Sequence, residues 1–178
     1  MSENLTYSLN LNVISGNRSS IKIIDFLNES DFNNISLILD PFVSLNPFWI
    51  ELKNLLEDKF NIDFIHINQS LEPTYNYLEL IRNQFSIDSE CIIGIGGGST
   101  MDVAKGIAAL IHNKKHSLDY RGFNLLTEKV LPIILIPTTA GSGSESTPFS
   151  VFIEEATGRK FGINSNSLFP SLTVLDPQ

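Results

Sequence analysis

The stretch Cys91-Ile-Ile-Gly-Ile-Gly-Gly-Gly-Ser-Thr-Met-Asp102 decides the fold class, because a short apolar run passes through glycines directly into a helical pattern. An unbroken apolar run is typical of a strand buried on both faces. Three consecutive glycines let a ligand approach the backbone. We predict that Ser99 caps the helix and that Asp102 completes a capping box. The first turn of that helix favours a phosphate, whereas the alternative is a tight turn without a ligand.

This loop differs from two better-known phosphate loops. The usual dinucleotide fingerprint has a third glycine where Ser99 stands, and it follows the first strand of its unit. The Walker loop is excluded as well, since no Gly-Lys-Ser or Gly-Lys-Thr follows the glycines.

Apolar runs alternate with helical patterns along the chain, which predicts a parallel sheet with helices on both faces and an α/β fold. The two ends of the chain show other patterns. Apolar and polar residues alternate over residues 7–14, as in an edge strand or a hairpin arm, and residues 150–163 predict a β-hairpin with a polar turn. The predicted strands are 35–39, 63–67, 91–95, 131–136 and 172–175, and the predicted helices are 47–60, 73–85 and 99–112.

A second polar loop, Pro137-Thr-Thr-Ala-Gly-Ser-Gly-Ser-Glu-Ser-Thr147, follows the predicted strand 131–136. Open α/β sheets bind ligands at the carboxyl ends of their strands. Short hydroxyl side chains there are suitable donors to phosphate or ribose. The alternative is a flexible loop without a ligand. The candidate donors are Thr138, Thr139, Ser142, Ser144 and Thr147.

Composition narrows the class of protein. A chain of 178 residues with 42% hydrophobic residues is sufficient for one folded domain. The net charge of −8 disfavours sequence-independent binding to nucleic acid. We expect no membrane span, because no apolar run approaches the ~20 residues that a spanning helix needs. With a single cysteine, Cys91, and no signal-like N-terminus, the expected location is cytoplasmic.

The two loops together resemble the iron-containing (group III) alcohol dehydrogenase family, which is related to glycerol dehydrogenase and dehydroquinate synthase. The resemblance rests on Gly96-Gly-Gly-Ser-Thr-Met-Asp-Val-Ala-Lys105 and Pro137-Thr-Thr-Ala-Gly-Ser-Gly-Ser-Glu145, and it extends from about Ile35 to Gln178. It implies that residues 1–178 form a Rossmann-like nucleotide-binding domain of the dehydroquinate synthase type. The helical metal-binding domain of the family is expected to lie outside this chain.

The resemblance implies a cofactor site for NAD. Asp40 matches an acidic residue beside the adenosine ribose, which favours NAD over NADP, although a turn aspartate before Pro41 is an alternative. Lys160 matches a lysine near the cofactor, with a solvated hairpin lysine as the alternative. The cofactor-binding residues implied are Asp40, Gly96, Gly97, Gly98, Ser99, Asp102, Thr138, Thr139, Ser142, Thr147 and Lys160.

In the full-length family, iron or zinc is bound by one Asp and three His residues. None of His66, His112 and His116 matches a ligand position, so we expect no metal ligand and no catalytic residue in this chain. His112 and His116 have the spacing of one helical face, but the intervening lysines disfavour a cation. One departure concerns Glu72, which stands where the family often has an asparagine near the cofactor.

The function implied is the NAD(H)-binding half of an enzyme that transfers hydride between nicotinamide and a small alcohol or carbonyl. The chain alone is expected to be inactive, and a homodimer is possible. A weaker resemblance at residues 161–165 and 175–177 points to the branch that oxidises the 8-hydroxyl of 3-deoxy-manno-octulosonate. Two alternatives remain open: an inactive binding module, and a dehydroquinate synthase-type lyase that uses NAD.

Overall fold

Strands and helices alternate along most of the chain in the computed structural model, which describes residues 11–67, 72–85 and 88–178. Short 3-10 turns join several of them. The strands are β1 (Val13–Ser15), β2 (Asn34–Leu39), β3 (Asn61–His66), β4 (Cys91–Gly96), β5 (Gly122–Phe123), β6 (Ile133–Pro137), β7 (Phe149–Glu154), β8 (Arg159–Asn164) and β9 (Leu172–Leu175). The α-helices are α1 (Ile23–Glu29), α2 (Pro47–Glu57), α3 (Tyr75–Arg82) and α4 (Gly98–Leu110).

The main sheet is parallel and has the strand order β1-β9-β6-β4-β2-β3. A small second sheet contains β5, β8 and β7, and β7 pairs with β8 as the predicted antiparallel hairpin. The edge strand β1 pairs in parallel with β9, so its described residues form an edge strand rather than a hairpin arm. Residues 7–10 of that prediction lie outside the described part of the chain.

Two apolar cores cover the two faces of the main sheet, as predicted. Successive residues of β4 point to opposite faces, so that Ile92 packs with α3 and α4, while Ile93 packs with α1 and α2. Both side chains are fully buried. The unbroken apolar runs of the strands are therefore explained by burial on both faces.

The start of α4 differs from the prediction. Gly97 occupies the N-cap position in an extended conformation, and no side chain caps the helix. Ser99 therefore lies in the first turn, and the capping box with Asp102 is wrong. The carboxylate of Asp102 instead accepts a hydrogen bond at 2.7 Å from Oγ of Ser144, a residue in the loop after β6.

The end of α4 also differs, because the helix stops at Leu110. His112 and His116 consequently do not share a helical face. His116 Nδ1 accepts a hydrogen bond from the Leu118 N–H at 3.3 Å and caps a short 3-10 helix. No described helix combines the length and the apolar character that crossing a bilayer requires.

Candidate functional site

The carboxyl ends of β2, β4 and β6 lie side by side, and their register brings the predicted polar residues together. Leu39 is paired with Ile95, and Gly96 is paired with Pro137. Two backbone bonds continue the pairing beyond the strands: Asp40 N–H donates to Ile95 O at 3.0 Å, and Thr138 N–H donates to Gly96 O at 2.9 Å. The parallel sheet thus places the acidic residue, the glycine loop and the hydroxyl loop along one edge.

The glycine loop packs closely against its neighbours. A Cβ atom on Gly96 would lie 2.9 Å from Asp40 Cβ, and one on Gly98 would lie 2.8 Å from Ser142 Cβ, so packing alone accounts for these two glycines. Gly97 is less constrained, since its Cβ would lie 3.3 Å from Thr139 Oγ1. Gly97 is therefore the position where the missing side chain leaves room between the two loops.

A cavity of about 680 Å³ opens at this edge of the sheet. Its volume lies in the range of small-molecule sites. Asp40, Thr138 and Thr139 are polar members of its wall, as the sequence predicts. Asp40 is 5% exposed as a residue, and its carboxylate accepts a hydrogen bond from Phe42 N–H at 2.9 Å. The apolar part of the wall includes Val43, Phe48, Trp49, Leu52, Ile95 and Ile136.

A smaller cavity of about 150 Å³ lies beside the first turn of α4. Ser99, Asp102 and Lys160 line it, so the structure brings these three predicted residues together. Glu72 lines the same cavity and forms an ion pair with Lys160 at 2.5 Å. The lysine expected near the cofactor is thus paired with the acidic residue that departs from the family pattern.

Lys105 holds the hydroxyl loop on α4, a role that the sequence did not reveal. Its side chain is fully buried, and its ammonium group donates to the carbonyl oxygens of Ser144, Thr147 and Phe149, the last two at 2.8 and 2.9 Å. Burial lowers the pKa of Lys105 to about 8, although the nearby carboxylates of Asp102 and Glu145 favour the charged form. The sequence signal was its place at the end of the glycine-loop motif, on a helix whose later residues are apolar.

Asp102 forms the other side of this contact. Burial raises the pKa of its carboxyl group, and the hydrogen bond from Ser144 and the charge of Lys105 only partly offset that rise. Its backbone carbonyl accepts a hydrogen bond from Ser150 Oγ at 2.7 Å. Asp102 therefore links α4 to both the hydroxyl loop and β7, and it remains close enough to the small cavity to border a ligand.

Asp176 is a second residue that the site prediction missed. It lines the large cavity, and its carboxylate accepts hydrogen bonds from the N–H groups of Arg18 at 3.0 Å and Ser20 at 2.9 Å. Burial alone would raise its pKa, but hydrogen bonds from Ser20, Gln178 and Arg18 outweigh burial and lower it. The Asp-Pro pair after β9 was the available signal.

The remaining predicted residues have mainly structural contacts. Thr147 lies against Lys105, with its carbonyl and hydroxyl oxygens 2.8 and 3.4 Å from the ammonium nitrogen. Ser142 packs over Gly98. Cys91 is buried in the core, and burial raises the pKa of its thiol.

The residues that the structure describes offer no place for the divalent metal of the family. Within these ranges, no three His, Cys, Asp or Glu side chains come together as a ligand set. We therefore derive no chemical step through a metal in this chain.

Comparison with known proteins agrees with the architecture. The family model for iron-containing alcohol dehydrogenase matches residues 11–177. Alcohol dehydrogenase 4 of Schizosaccharomyces pombe is 32% identical over 155 residues, which are 84% of this chain and 36% of that protein. A 1-propanol dehydrogenase of Salmonella typhimurium is 30% identical over 174 residues, 97% of this chain and 42% of the relative.

Solved structures show the same fold. Sulfoacetaldehyde reductase from Bifidobacterium kashiwanohense, crystallised with NAD+, superposes with a TM-score of 0.84 at 26% identity and covers 99% of this chain. A 1,3-propanediol oxidoreductase superposes with a TM-score of 0.88 at 22% identity and covers 98%. The chain spans 47% and 46% of these two proteins. Because the two loops, the parallel sheet and the match over residues 11–177 agree, this chain belongs to the iron-containing alcohol dehydrogenase family.

Proposed function

We propose that this chain binds NAD(H) and forms the nucleotide-binding half of a metal-dependent alcohol dehydrogenase. The observation that carries the proposal is the shared sheet edge, where Asp40, the glycine loop and Thr138 follow three neighbouring strands. The size of the adjoining cavity and the lack of a side chain at Gly97 support a ligand there. The NAD+ complex of the Bifidobacterium relative also supports it.

The residues fit a dinucleotide in three places. The carboxylate of Asp40 is suited to accept hydrogen bonds from the hydroxyls of the adenosine ribose, and its charge disfavours a 2′-phosphate. The first turn of α4, which begins at Gly98 and has no side-chain cap, suits the diphosphate because the N-terminus of a helix favours an anion. Thr138 and Thr139 supply hydroxyl donors from the facing loop.

When bound, the nicotinamide exchanges a hydride with an alcohol or a carbonyl compound. The residues of this chain would orient the cofactor and shield its diphosphate, while substrate chemistry would depend on residues outside it. We propose a small alcohol or aldehyde as substrate, since relatives are named for 1-propanol and sulfoacetaldehyde. The sugar-acid substrate, the homodimer, the cytoplasmic location and the inactivity of the chain alone remain predictions.

The proposal is tested by titrating the protein with NADH and NADPH and following the nucleotide fluorescence. We expect saturable binding of NADH, about ten-fold tighter than that of NADPH, because Asp40 repels the extra phosphate. Asp40→Asn should reduce this preference, whereas Asp58→Asn, an equal charge change at an exposed site, should retain it. If neither nucleotide binds, or if the unmodified protein prefers NADPH, the proposal is wrong.

A further inference from the structure

The ion pair between Glu72 and Lys160 stands at the wall of the small cavity beside α4. The carboxylate oxygen and the ammonium nitrogen are 2.5 Å apart, and the side chains of Lys160 and Glu72 are 57% and 56% exposed. The backbone next to Glu72 is held in place, because Ile153 N–H donates to Pro73 O at 3.0 Å. The segment before α3 is therefore fixed beside the hairpin that carries Lys160.

The wall of this cavity carries charges of both signs, and Asp102 also has the buried cation Lys105 beside it. Two carboxylates, Glu72 and Asp102, line it together with one cation, Lys160. Lys160 is close enough to Asp102 to stabilise its ionised form slightly. The cavity also contains Ser99 of the first turn of α4, where the helix dipole favours an anion.

Glu72 and a phosphate at the first turn of α4 would compete for the same cation, Lys160. A phosphate at the first turn of α4 would gain from the charge of Lys160, which lines the adjoining cavity. Glu72 already neutralises that charge. Because both side chains are largely exposed, their ion pair is weak and can be exchanged for another anion.

We propose that Glu72 is an affinity-determining residue that competes with the cofactor diphosphate for Lys160. This inference rests on the proposed function, since it assigns the diphosphate to the first turn of α4. In the free protein, Glu72 takes the place of a phosphate beside Lys160. When the dinucleotide binds, Lys160 exchanges the carboxylate for the phosphate, and the carboxylate moves into solvent. Glu72 therefore weakens binding and favours release of the cofactor.

The test measures the dissociation constant of NADH for the unmodified protein, Glu72→Gln, Lys160→Met and the double variant, at low and high salt. We expect Glu72→Gln to bind NADH about two- to ten-fold more tightly, as suits an exposed ion pair. Lys160→Met should bind more weakly, and Glu72→Gln should add little to it, because the two residues act together. High salt should reduce the gain.

Glu155→Gln is the matched control, because Glu155 is an exposed carboxylate in the turn of the same hairpin. It should leave the affinity unchanged, and all variants should unfold at similar temperatures. If the unmodified protein binds NADH and Glu72→Gln binds it equally well, this inference fails while the proposed function stands. The inference also fails if Glu72→Gln increases the affinity for NADH by the same factor when Lys160 is already replaced by methionine. If no variant binds NADH, the proposed function fails and the inference fails with it.

Discussion

The glycines of β4 and of the loop that follows it serve different purposes. A Cβ on Gly94 would lie 2.7 Å from Ala104 Cβ and 3.0 Å from Leu135 Cδ2, so that glycine allows α4 to approach the sheet. Gly97 has an ordinary backbone conformation, with φ of −77°, and a looser contact with Thr139. We therefore expect the effects on stability and on NADH affinity to be separable at these two glycines, which are three positions apart.

Gly97→Ala should reduce NADH affinity about ten-fold, because the added methyl group occupies the space between the two loops. Its cost in stability should be about 1 kcal/mol or less, since alanine is only a poorer N-cap than glycine. Titration with NADH and urea unfolding measure the two effects.

Gly94→Ala is the matched comparison, and it should lower the free energy of unfolding by about 1–3 kcal/mol through overpacking. Normal NADH binding by Gly97→Ala, or a larger loss of stability than in Gly94→Ala, would contradict these roles for the two glycines.

The positions of some site residues could be predicted from the sequence, whereas the partners of others could not. The placement of Asp40, Thr138 and Thr139 at one edge followed from the order of strands and loops, because parallel strands end on the same side. The partner of Asp102 did not follow, because Ser144 reaches it only after the second loop folds back over α4. Lys105 was missed for the same reason, since its acceptors are backbone carbonyls far along the chain.

At the scale of elements, Asp176 connects the end of β9 to the segment before α1. Its carboxylate accepts hydrogen bonds from the backbone of Arg18 and Ser20, which lie beyond the edge strand β1. Those bonds lower its pKa below the ordinary value despite partial burial. In the unfolded chain the carboxyl group returns to an ordinary pKa of about 3.9. Its stabilising contribution is therefore complete above that value and is lost as the pH falls through the folded-state pKa.

Asp176→Asn should lower the free energy of unfolding by about 1–2 kcal/mol at neutral pH, because an amide is a weaker acceptor for these N–H groups. The difference from the unmodified protein should shrink as the pH falls below about 4, where the unfolded chain takes up the proton first, and it should level off below the folded-state pKa, where both states are protonated. Urea unfolding at several pH values measures it. Asp58→Asn, at the exposed residue that follows α2, is the control and should show no such dependence on pH. If the loss of stability in Asp176→Asn were the same at every pH, the role given to Asp176 would be wrong.

The elements themselves were largely predictable. Apart from the edge strand β1, the strands of the main sheet were placed within about two residues, because strands buried on both faces are unbroken apolar runs. The predicted ends of the helices were less accurate. Helix α4 begins at Gly98 and stops at Leu110, although helical spacing continues to His112. Asn113 explains the stop: it is buried, and its amide oxygen accepts hydrogen bonds from the N–H groups of Thr127 and Glu128.

At the scale of the whole molecule, the fold brings two loops that are distant in sequence to one edge of the main sheet. The glycine loop belongs to the crossover between β4 and β6, and the hydroxyl loop follows β6 itself, so their contact depends on the parallel pairing of these strands. Lys105 and Asp102 then fix the second loop on the helix that begins at the first. We propose that both loops hold one dinucleotide.

Hydrogen–deuterium exchange of the backbone amides, with and without saturating NAD+, tests this claim most directly. We expect slower exchange at residues 40–46, 96–102 and 138–147 when NAD+ is bound, with no change at residues 112–120, which include His112 and His116. Protection confined to one of the two loops, or protection elsewhere with both loops unchanged, would contradict it.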